Sequence, residues 1–528
     1  MGIPAYFSHI IKEYKSIIKT ISNINNIHNL FLDSNSIIYD IINKNDYSEF
    51  SSDAEFEKYI IEQVCQQISY YISLIKPQKL VFIAFDGVAP VAKLHQQKTR
   101  RFKSVLEQDV KKQIENISND KFKPKWDTCA ITPGTNFMCI LSEHIHKFFN
   151  KKQKQNQRII ISDSFINGEG EHKIFEYIRN NETELKESKS VIYGLDSDLI
   201  MLTLLHLKYN KNMYLFRETP HFIKTIDKSL NPEELYALDI PKFNNIILSK
   251  LQSKPLEQTI PDYVFISFIL GNDFVSHSPM LNIRTNGIDY IMNTYKQFIS
   301  GKNSLTLSDN SIHWKCFRTF IEALSKNEEE WFKHEFTIRN KMEKKYKRIC
   351  KKKMEKYEVI PILNRGEEFY INPNESGWKQ RYYKILFNIE YNNERIKEIC
   401  INYLESLEWT YKYYNGKCPN QHWCYNYYYT PLLSDILIYI PYFNNSFFDK
   451  KELVNKPVHP YTQLAYVLPS SSNYLLPKDV LERLKEYNAF NEKSTKCKIQ
   501  WAFCKYLWES HIISSHMQIS YLEEIVTI

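Results

Sequence analysis

Four short apolar runs, each closing on an aspartate, constrain the fold of this chain more than any other feature. Their residues are apolar at consecutive positions and often β-branched or aromatic, which is typical of strands buried on both faces of a parallel sheet. Helical patterns lie between the runs, for example over 53–75 and 136–150. The alternation predicts an α/β fold with a mostly parallel sheet and flanking helices. The four runs are NLFLDSN (29–35), KLVFIAFDG (79–87), RIIISDS (158–164) and SVIYGLDSD (190–198).

The aspartates that close these runs are Asp33, Asp86, Asp163 and Asp196. Parallel strands present their carboxyl ends at one edge of the sheet, where ligands of such folds bind. We therefore expect these side chains to converge, although they are far apart in sequence. Asp163 is the exception, because a lone aspartate after a strand is more often a residue that caps or bonds within its own loop.

Further carboxylates extend this candidate metal site. Glu169 and Glu171 stand at the predicted start of a helix, and Asp198 is expected in the loop that also holds Asp196. Asp273 follows another apolar run. Carboxylates in one pocket repel one another unless cations compensate, and Mg²⁺ prefers hard oxygen ligands and suits phosphate chemistry, often as two ions about 4 Å apart. The predicted catalytic and metal-binding acids are Asp33, Asp86, Glu169, Glu171, Asp196, Asp198 and Asp273.

A simpler interpretation exists for Glu169 and Glu171 taken alone. Acidic residues are common at solvated helix N-termini, where they interact favourably with the helix dipole. The succession of D-x-N, F-D-G, G-E-G-E, D-x-D and G-N-D along one chain favours the metal site instead.

A basic helix face follows Asp86. Lys93, Gln97, Arg100 and Arg101 are spaced i, i+4, i+7 and i+8, so they share one side of a helix. Two guanidiniums, an ammonium and an amide suit a terminal phosphate, which they would hold by charge-assisted hydrogen bonds. A solvated basic face is the alternative, but the position directly after a strand end favours a phosphate pocket.

Length and composition indicate an intracellular protein of two or three domains. The chain has 528 residues and a formal net charge of +8, which favours a polyanionic partner without proving one. Its ten cysteines include no C-x-x-C pair, and no apolar stretch reaches the length of a membrane span, so neither a zinc ribbon nor membrane association is expected. We predict a core over 1–325, a solvated basic helical connector over 326–360 and a second region over 361–528. KRICKKK (347–353) could serve as a nuclear signal, but a solvated helix is the simpler interpretation, so we expect the cytoplasm, with the nucleus as the alternative.

The motifs resemble, in order and rough spacing, those of the XRN family of 5′→3′ exoribonucleases. The likeness covers most of the chain and continues into the family's second conserved region. The segments that carry it are MGIPAYF (1–7), FDGVAPVAKLHQQKTRRF (85–102), ITPGTNFM (131–138), SDSFINGEGEHKIFEYIR (162–179), YGLDSDLIML (193–202), FILGNDFVSHSP (268–279), GWKQRYYK (377–384) and the stretch 403–436.

The resemblance implies a PIN-like, flap-nuclease-like core followed by a mixed, mainly helical second region. It implies an enzyme using Mg²⁺ or Mn²⁺, expected as two ions, that processively degrades single-stranded RNA with a 5′-monophosphate. Nucleoside 5′-monophosphates would be released, in RNA and mRNA turnover. The seven acids match the family's metal-binding acids, and the residues of the basic face match its 5′-phosphate pocket. The GIP segment (2–4) resembles a gate that admits only unpaired RNA.

Departures from the family pattern concern mainly the residues that stack on bases. Tyr39 stands where the family usually has histidine, and Gln421 replaces the first of two tryptophans, so the stacking role is assigned to Tyr39 and Trp423. Val91 and Ser276 replace an arginine and a proline. None of the seven acids is lost, which favours an active enzyme. The chain stops soon after the second region, so we expect a minimal, monomeric form without C-terminal accessory domains; decapping factors are conceivable partners to which no residue pattern points.

Two other functions share parts of this pattern. A structure-specific DNA nuclease of the flap type would use a similar acid cluster, but the chain has no helix–hairpin–helix pattern for duplex DNA. A non-catalytic RNA-binding or scaffolding protein could keep the fold, but the intact acids speak against it.

Overall fold

Seven strands form one sheet at the centre of the molecule. The structure, a computed structural model, describes residues 2–115, 125–152, 157–218, 228–231, 233–251, 257–449, 453–487, 498–513 and 518–528. The strands of the main sheet are β1 (Ile18–Thr20), β2 (Asn29–Asp33), β3 (Leu80–Ala84), β4 (Arg158–Ser162), β5 (Lys189–Tyr193), β6 (Asn212–Arg217) and β7 (Tyr236–Asp239), and a separate antiparallel pair consists of β8 (Lys498–Gln500) and β9 (His511–Ile513).

The sheet is mostly parallel, as the sequence predicts. Its strand order is β1-β7-β6-β5-β2-β3-β4. The four predicted runs are strands β2 to β5, and they are neighbours that pair in parallel. β6 extends the parallel part, while β7 and β1 add an antiparallel edge that the sequence analysis did not predict. Register places Asp33 opposite Ala84, and Ala84 opposite Ser162, so the strands end together at one edge.

Helices cover both faces of this sheet and are the main regular elements of the second region. The predicted helices over 53–75 and 136–150 are both present with those bounds. In chain order the helices are α1 (Tyr6–Glu13), α2 (Asn35–Lys44), α3 (Asp53–Ile75), α4 (Val91–Glu115), α5 (Asn136–Asn150), α6 (Gly170–Asn180), α7 (Glu182–Leu185), α8 (Asp198–His206), α9 (Ile240–Leu251), α10 (Thr259–Ser267), α11 (Gly287–Phe298), α12 (Trp314–Ser325), α13 (Glu328–Ile349), α14 (Lys353–Glu358), α15 (Ile360–Leu363), α16 (Gly366–Ile371), α17 (Trp378–Leu386), α18 (Asn393–Tyr414), α19 (Leu433–Tyr439), α20 (Pro460–Val467), α21 (Lys478–Glu486) and α22 (Ile519–Thr527).

The central strands are apolar at every position because both of their faces are buried. Side chains of a strand alternate between the two faces of its sheet. Leu30 and Leu32 accordingly pack in a core with α3 and α5, whereas Phe31 between them packs in the core on the opposite face. This explains why the runs show no alternation of apolar and polar residues.

The second region shares one of these cores with the sheet. Phe31 of β2 belongs to the same continuous apolar cluster as Trp378 and Tyr403, which lie in α17 and α18. Helix α13 occupies most of the predicted connector: the stretch 341–349 is largely solvated, but Phe332 and Arg339 are buried. The predicted division at 325 and 360 stays a prediction, since the first half of α13 packs into the common core.

The cysteines and the apolar character of the helices can be compared with the sequence predictions. The nine cysteines in the described part of the chain carry free thiols. Among the described residues, none of the helices combines the length and apolar character needed to cross a bilayer.

Candidate active site

Acids from neighbouring strands meet at the carboxyl edge of the sheet. Asp33 is the last residue of β2, and Asp86 lies two residues beyond the end of β3. Asn35 fixes Asp86 through two hydrogen bonds: its side-chain amide donates to Asp86 Oδ2 at 2.8 Å and accepts from the Asp86 amide at 3.1 Å. The predicted convergence of these strand ends follows from the parallel pairing of β2 with β3.

Glu169 and Glu171 enter the site from the start of α6. Gly170 lies between them, and its amide donates a 2.7 Å hydrogen bond to Asp86 Oδ1. A Cβ atom on Gly170 would lie 2.6 Å from Asp33 Oδ1, so only glycine allows the backbone to approach the acids this closely. Glu169 is 3% and Glu171 7% exposed, which shows that the solvated-terminus interpretation of this pair is wrong.

The remaining acids come from the loop after β5, from α8 and from the loop after α10. Asp198 is the first residue of α8, not a loop residue as the sequence analysis predicted. The N-terminal segment approaches it closely, because a Cβ on Gly2 would lie 2.1 Å from Asp198 Oδ1. Asp196 and Asp273 both contribute to the electrostatic surroundings of Asp198. The structure therefore brings all seven predicted acids into one cluster.

Lys93 is the cation of this acid cluster. Its Nζ atom lies 2.6 Å from Glu169 Oε2 and 3.0 Å from Asp273 Oδ2. The sequence analysis assigned Lys93 to the phosphate pocket, and the structure directs its ammonium group at the carboxylates. Burial by itself lowers the pKa of Lys93, but Glu169 and Asp273 raise it well above its usual value, so the side chain stays charged.

The pKa directions within the acid cluster differ from one carboxylate to another. Burial raises the pKa of Asp33 well above its usual range, and Asp86 and Asp196 raise it further. Burial likewise raises the pKa of Glu171 well above its usual range. The pKa of Asp198 rises to about 7 because of burial and the charge of Asp273. Burial also raises the pKa of Asp196 and Asp273, but nearby cations, Lys93 among them, outweigh burial and leave both values below their usual range. The raised values therefore mark the acids whose burial and like-charged neighbours the chain's own cations do not offset.

Unpartnered oxygen atoms show where a cation fits. Glu171 Oε2 and Asp198 Oδ1 are buried and accept no hydrogen bond from the described residues. Ligand atoms of Glu169, Glu171 and His172 lie within 4.8 Å of one another, a group that could hold a metal ion. Carboxylate oxygens are the donors that hard divalent cations prefer, so the residues present fit such an ion.

The predicted phosphate pocket lies on the neighbouring surface of α4. Arg101 Nη2 donates a 2.6 Å hydrogen bond to Thr132 Oγ1, in the predicted motif ITPGTNFM. Arg101 Nη1 and Gln97 Oε1 are buried without a hydrogen-bond partner among the described residues, whereas Arg100 is exposed. Polar atoms that are buried and unpaired are costly unless a ligand completes them. The role of these residues in phosphate binding stays a prediction.

The predicted stacking residues lie in different surroundings. Tyr39 on α2 is partly buried against the core formed by α3 and α5. Trp423 is 8% exposed, stacks on Trp409 at a centroid distance of 5.5 Å and donates a 3.1 Å hydrogen bond to Glu405. Both stacking roles stay predictions.

Asp163 has the loop role that was predicted for it. Its Oδ1 atom accepts a 3.0 Å hydrogen bond from the amide of Phe165, and Oδ2 lies 3.0 Å from His146 Nε2. The side chain is thus occupied by its own loop and by α5.

Three residues of the site were missed by the sequence analysis. Asn35 could have been found from D-x-N, since it lies two residues after Asp33, the last residue of its strand. His172 lies next to Glu171, and its ring packs against Tyr413 with centroids 3.8 Å apart and an interplanar angle of 31°. The Tyr413 hydroxyl donates a 2.8 Å hydrogen bond to Glu169 across 244 residues, a contact that no local pattern reveals.

Curated relatives of this chain are 5′-3′ exoribonucleases. The chain is 28% identical to 5′-3′ exoribonuclease 1 of Homo sapiens, over 90% of this chain and 31% of the relative. It is 26% identical to 5′-3′ exoribonuclease 1 of Schizosaccharomyces pombe, over 90% and 44%, and 27% identical to the 5′-3′ exoribonuclease 2 homolog of Drosophila melanogaster, over 90% and 65%. The chain thus spans less than two thirds of the length of each of these relatives.

Two family models match consecutive parts of the chain. The model described as the XRN 5′-3′ exonuclease N-terminus matches residues 1–219, which contain the parallel sheet and six of the seven acids. The model described as the Xrn1 helical domain matches residues 253–361 and 364–492, and the first of these stretches includes the seventh acid, Asp273. With a PIN-like core followed by a helical region, and with both models matched in order, the chain belongs to the XRN family.

Proposed function

We propose that this chain is a metal-dependent 5′→3′ exoribonuclease that degrades single-stranded RNA with a 5′-monophosphate. The observation that carries the proposal is the acid cluster, in which seven carboxylates, three of them buried, lie around the ammonium group of Lys93 beside a basic stripe of α4. A strongly negative buried pocket next to cationic side chains suits a substrate whose phosphates approach bound cations. Family membership supports the same reaction class.

Two Mg²⁺ or Mn²⁺ ions are proposed as the cofactors. The seven acids would hold them, and the unpartnered oxygens of Glu171 and Asp198 are free to serve as ligands. Bound ions of this kind lower the pKa of water and neutralise the charge that develops on a phosphodiester. His172 is a neutral donor next to them, because burial and the charge of Lys93 lower its pKa well below the usual range.

The chain's own residues would position the RNA end. The unpaired Arg101 Nη1 provides a donor for a terminal phosphate, the side-chain amide of Gln97 stands one turn earlier on α4, and Arg100 lies at the exposed side. Thr132 fixes the Arg101 guanidinium from the other side. A pocket completed by one phosphate would exclude capped and triphosphate ends by size, and it predicts strong dependence of binding on salt.

Tyr413 and Gly2 would keep the acids and the substrate path in place. Tyr413 holds Glu169 by a hydrogen bond, and the close approach of the Gly2 backbone to Asp198 leaves little room beside the acids. This geometry supports entry of an unpaired strand. We propose a role in RNA turnover in the cytoplasm, as a monomer.

The decisive experiment is a time course with purified protein and Mg²⁺. The substrates are matched single-stranded RNAs with a 5′-monophosphate, 5′-triphosphate or 5′-hydroxyl, all labelled at the 3′ end. We expect loss of the monophosphate RNA alone, without a ladder of intermediates. Equal decay of all three RNAs, or cleavage of a DNA flap instead, would place the enzyme in a different nuclease class.

A further inference from the structure

A cavity of about 630 Å³ adjoins the acid cluster on the next stripe of α4. Gln96, Arg100 and Lys103, spaced i, i+4 and i+7, line it. Lys93, Gln97 and Arg101 form the stripe beside it. Arg100 belongs by position to both, and Asp273 lines the cavity as well as taking part in the acid cluster. The cavity therefore connects directly with the site of the proposed reaction.

The segment 503–511 closes this cavity from one side. Lys103 Nζ donates hydrogen bonds to the carbonyls of Trp508 at 2.7 Å and Ser510 at 2.6 Å. Arg284 forms a 2.6 Å ion pair with Glu509 of the same segment. These anchors make the segment a fixed wall. It lies outside both stretches that the family models match.

The cavity lining offers hydrogen-bonding atoms that nothing in the described chain satisfies. Gln96 Oε1, Asn272 Nδ2, Ser510 Oγ and His511 Nε2 are all buried without a partner. Such atoms are costly unless a polar ligand pairs with them. The mixture of donors and acceptors matches the edge of a nucleobase better than it matches a simple anion.

Aromatic rings and a guanidinium complete the lining. Trp508 is 51% exposed and stacks on Tyr506 with an interplanar angle of 12°. Tyr428 lies against His511, with ring centroids 5.6 Å apart. Aromatic faces stack on nucleobases, and the nearby Arg100 supplies charge for a phosphate. The volume lies in the range of pockets that enclose one small ligand.

We propose that this cavity is a nucleotide subsite that receives the nucleoside 5′-monophosphate released at the acid cluster. The inference rests on the proposed function and names a second site for its product. A processive enzyme keeps its RNA in the entry path, so each released nucleotide needs another way out. The cavity offers that route, because Arg100 lets the phosphate pass from one stripe of α4 to the other.

The test measures binding without turnover. Dissociation constants of radiolabelled adenosine 5′-monophosphate and of a 5′-phosphorylated RNA pentamer are determined by equilibrium dialysis in the absence of divalent cations. The variants are Gln96→Leu and Trp508→Ala in the cavity and Gln97→Leu on the neighbouring stripe. Phe443→Ala, which removes an aromatic ring that is 81% exposed elsewhere, is the matched control.

We expect Gln96→Leu and Trp508→Ala to weaken nucleotide binding about tenfold and to leave pentamer binding within twofold of the wild type. Gln97→Leu should weaken the pentamer, and Phe443→Ala should change neither constant. Unchanged nucleotide binding in both cavity variants would overturn the inference, as would equal weakening of pentamer and nucleotide, which would make the cavity part of the RNA path. If Trp508→Ala does not fold, Gln96→Leu decides alone, because it preserves side-chain shape.

This test and the RNA time course fail separately. If 5′-monophosphate RNA decays normally but the cavity variants bind the nucleotide as tightly as the wild type, only the proposed subsite is contradicted. If the protein binds the nucleotide in the cavity but does not degrade RNA, the proposed reaction is contradicted. The assignment of the nucleotide as its product is then contradicted as well.

Discussion

Two clusters of buried charge in this molecule differ in how their charges are balanced. In the acid cluster, seven carboxylates lie together, and Lys93 is the cation that forms ion pairs with them among the described residues. In the second region, an arginine–glutamate cluster places the guanidiniums of Arg339 and Arg365 against Glu368, with Nε-to-Oε2 distances of 2.8 and 2.5 Å. Glu368 also accepts a 2.9 Å hydrogen bond from the amide of Phe503. Arg365 also lies 3.3 Å from Glu343 Oε2, so each guanidinium of this cluster has a carboxylate partner, although Arg365 Nη2 itself makes no hydrogen bond to the described residues. In the acid cluster, carboxylate oxygens are the groups left without such a partner.

The pKa directions show the same contrast. Burial raises the pKa of Glu368, but Arg339 and Arg365 outweigh burial and leave the pKa below its usual value. Burial raises the pKa of Glu171, and Lys93 does not offset it. A balanced cluster ties helices together without any ligand, whereas an unbalanced one is stable as a charged group only when cations join it. The difference separates a structural cluster from a functional one without reference to the reaction.

The largest expected effect comes from removing one charge of the acid cluster. We expect Asp198→Asn to slow decay of 5′-monophosphate RNA about a thousandfold, because the proposed ions lose a ligand. The free energy of unfolding without metal should not fall, since a repelling charge is removed. Asp163→Asn is the matched control, because this strand-end aspartate is paired with His146 and should leave most of the activity. Similar losses in both variants would contradict the assignment.

The balanced cluster should respond in the opposite way. Glu368→Gln leaves two buried guanidiniums with too little negative charge, and we expect it to lower the free energy of unfolding by about 3–5 kcal/mol. Urea denaturation measures this, and the activity of the molecules that remain folded should be unchanged. In the exposed pair Arg395–Glu398, the variant Glu398→Gln should cost at most about 1 kcal/mol. A large loss of activity per folded molecule would show that the arginine–glutamate cluster also serves the site.

The acid cluster could be predicted from sequence because each of its members is marked by a local pattern. A buried strand that ends in aspartate indicates both the fold and the edge where Asp33 and Asp86 lie. The arginine–glutamate cluster has no such pattern, since Arg339 appears in sequence as one more cation of a basic helix. The ion pairs of Lys93 with the acids were not predicted for a related reason, because spacing shows which face of α4 the residue occupies but not which side chains that face meets. The hydrogen bond from Tyr413 to Glu169 depends on how α18 packs against the start of α6, and no local sequence pattern indicates that packing.

A change of pH should have opposite effects on the stability that Asp198 and Glu368 contribute. Asp198, with a pKa of about 7, holds a proton in the folded state that the unfolded chain releases near pH 4. Its contribution to the free energy of unfolding therefore falls as pH rises from about 4 to 7. Glu368, with a lowered pKa, contributes stability that is present above its unfolded value and is lost as pH falls.

Urea unfolding at pH 5 and pH 8, without and with Mg²⁺, measures how protons and cations stabilise the acid cluster. We expect the wild type to gain stability at pH 8 on addition of Mg²⁺, and to gain less at pH 5, where protons occupy the acids. In Asp198→Asn the difference between the two pH values should shrink. Stabilisation by Mg²⁺ that is equal at both pH values would contradict the idea that cations replace protons in the acid cluster.

The smallest expected effect concerns the hydroxyl that links the two regions. Tyr413→Phe removes the hydrogen bond to Glu169 and keeps the ring, which is stacked on Trp409 at 4.8 Å between centroids. A hydrogen bond to a charged group contributes about 1.5–3 kcal/mol, so we expect a loss of activity of about tenfold to a hundredfold and a higher Mg²⁺ concentration for half-maximal rate. Tyr382→Phe is the control, because it removes an equally buried hydroxyl that donates to the Thr430 carbonyl at 2.7 Å. It should cost stability but leave the Mg²⁺ dependence unchanged. If both variants shift that dependence equally, the hydroxyl of Tyr413 supports the fold in general and does not position Glu169 for a cation.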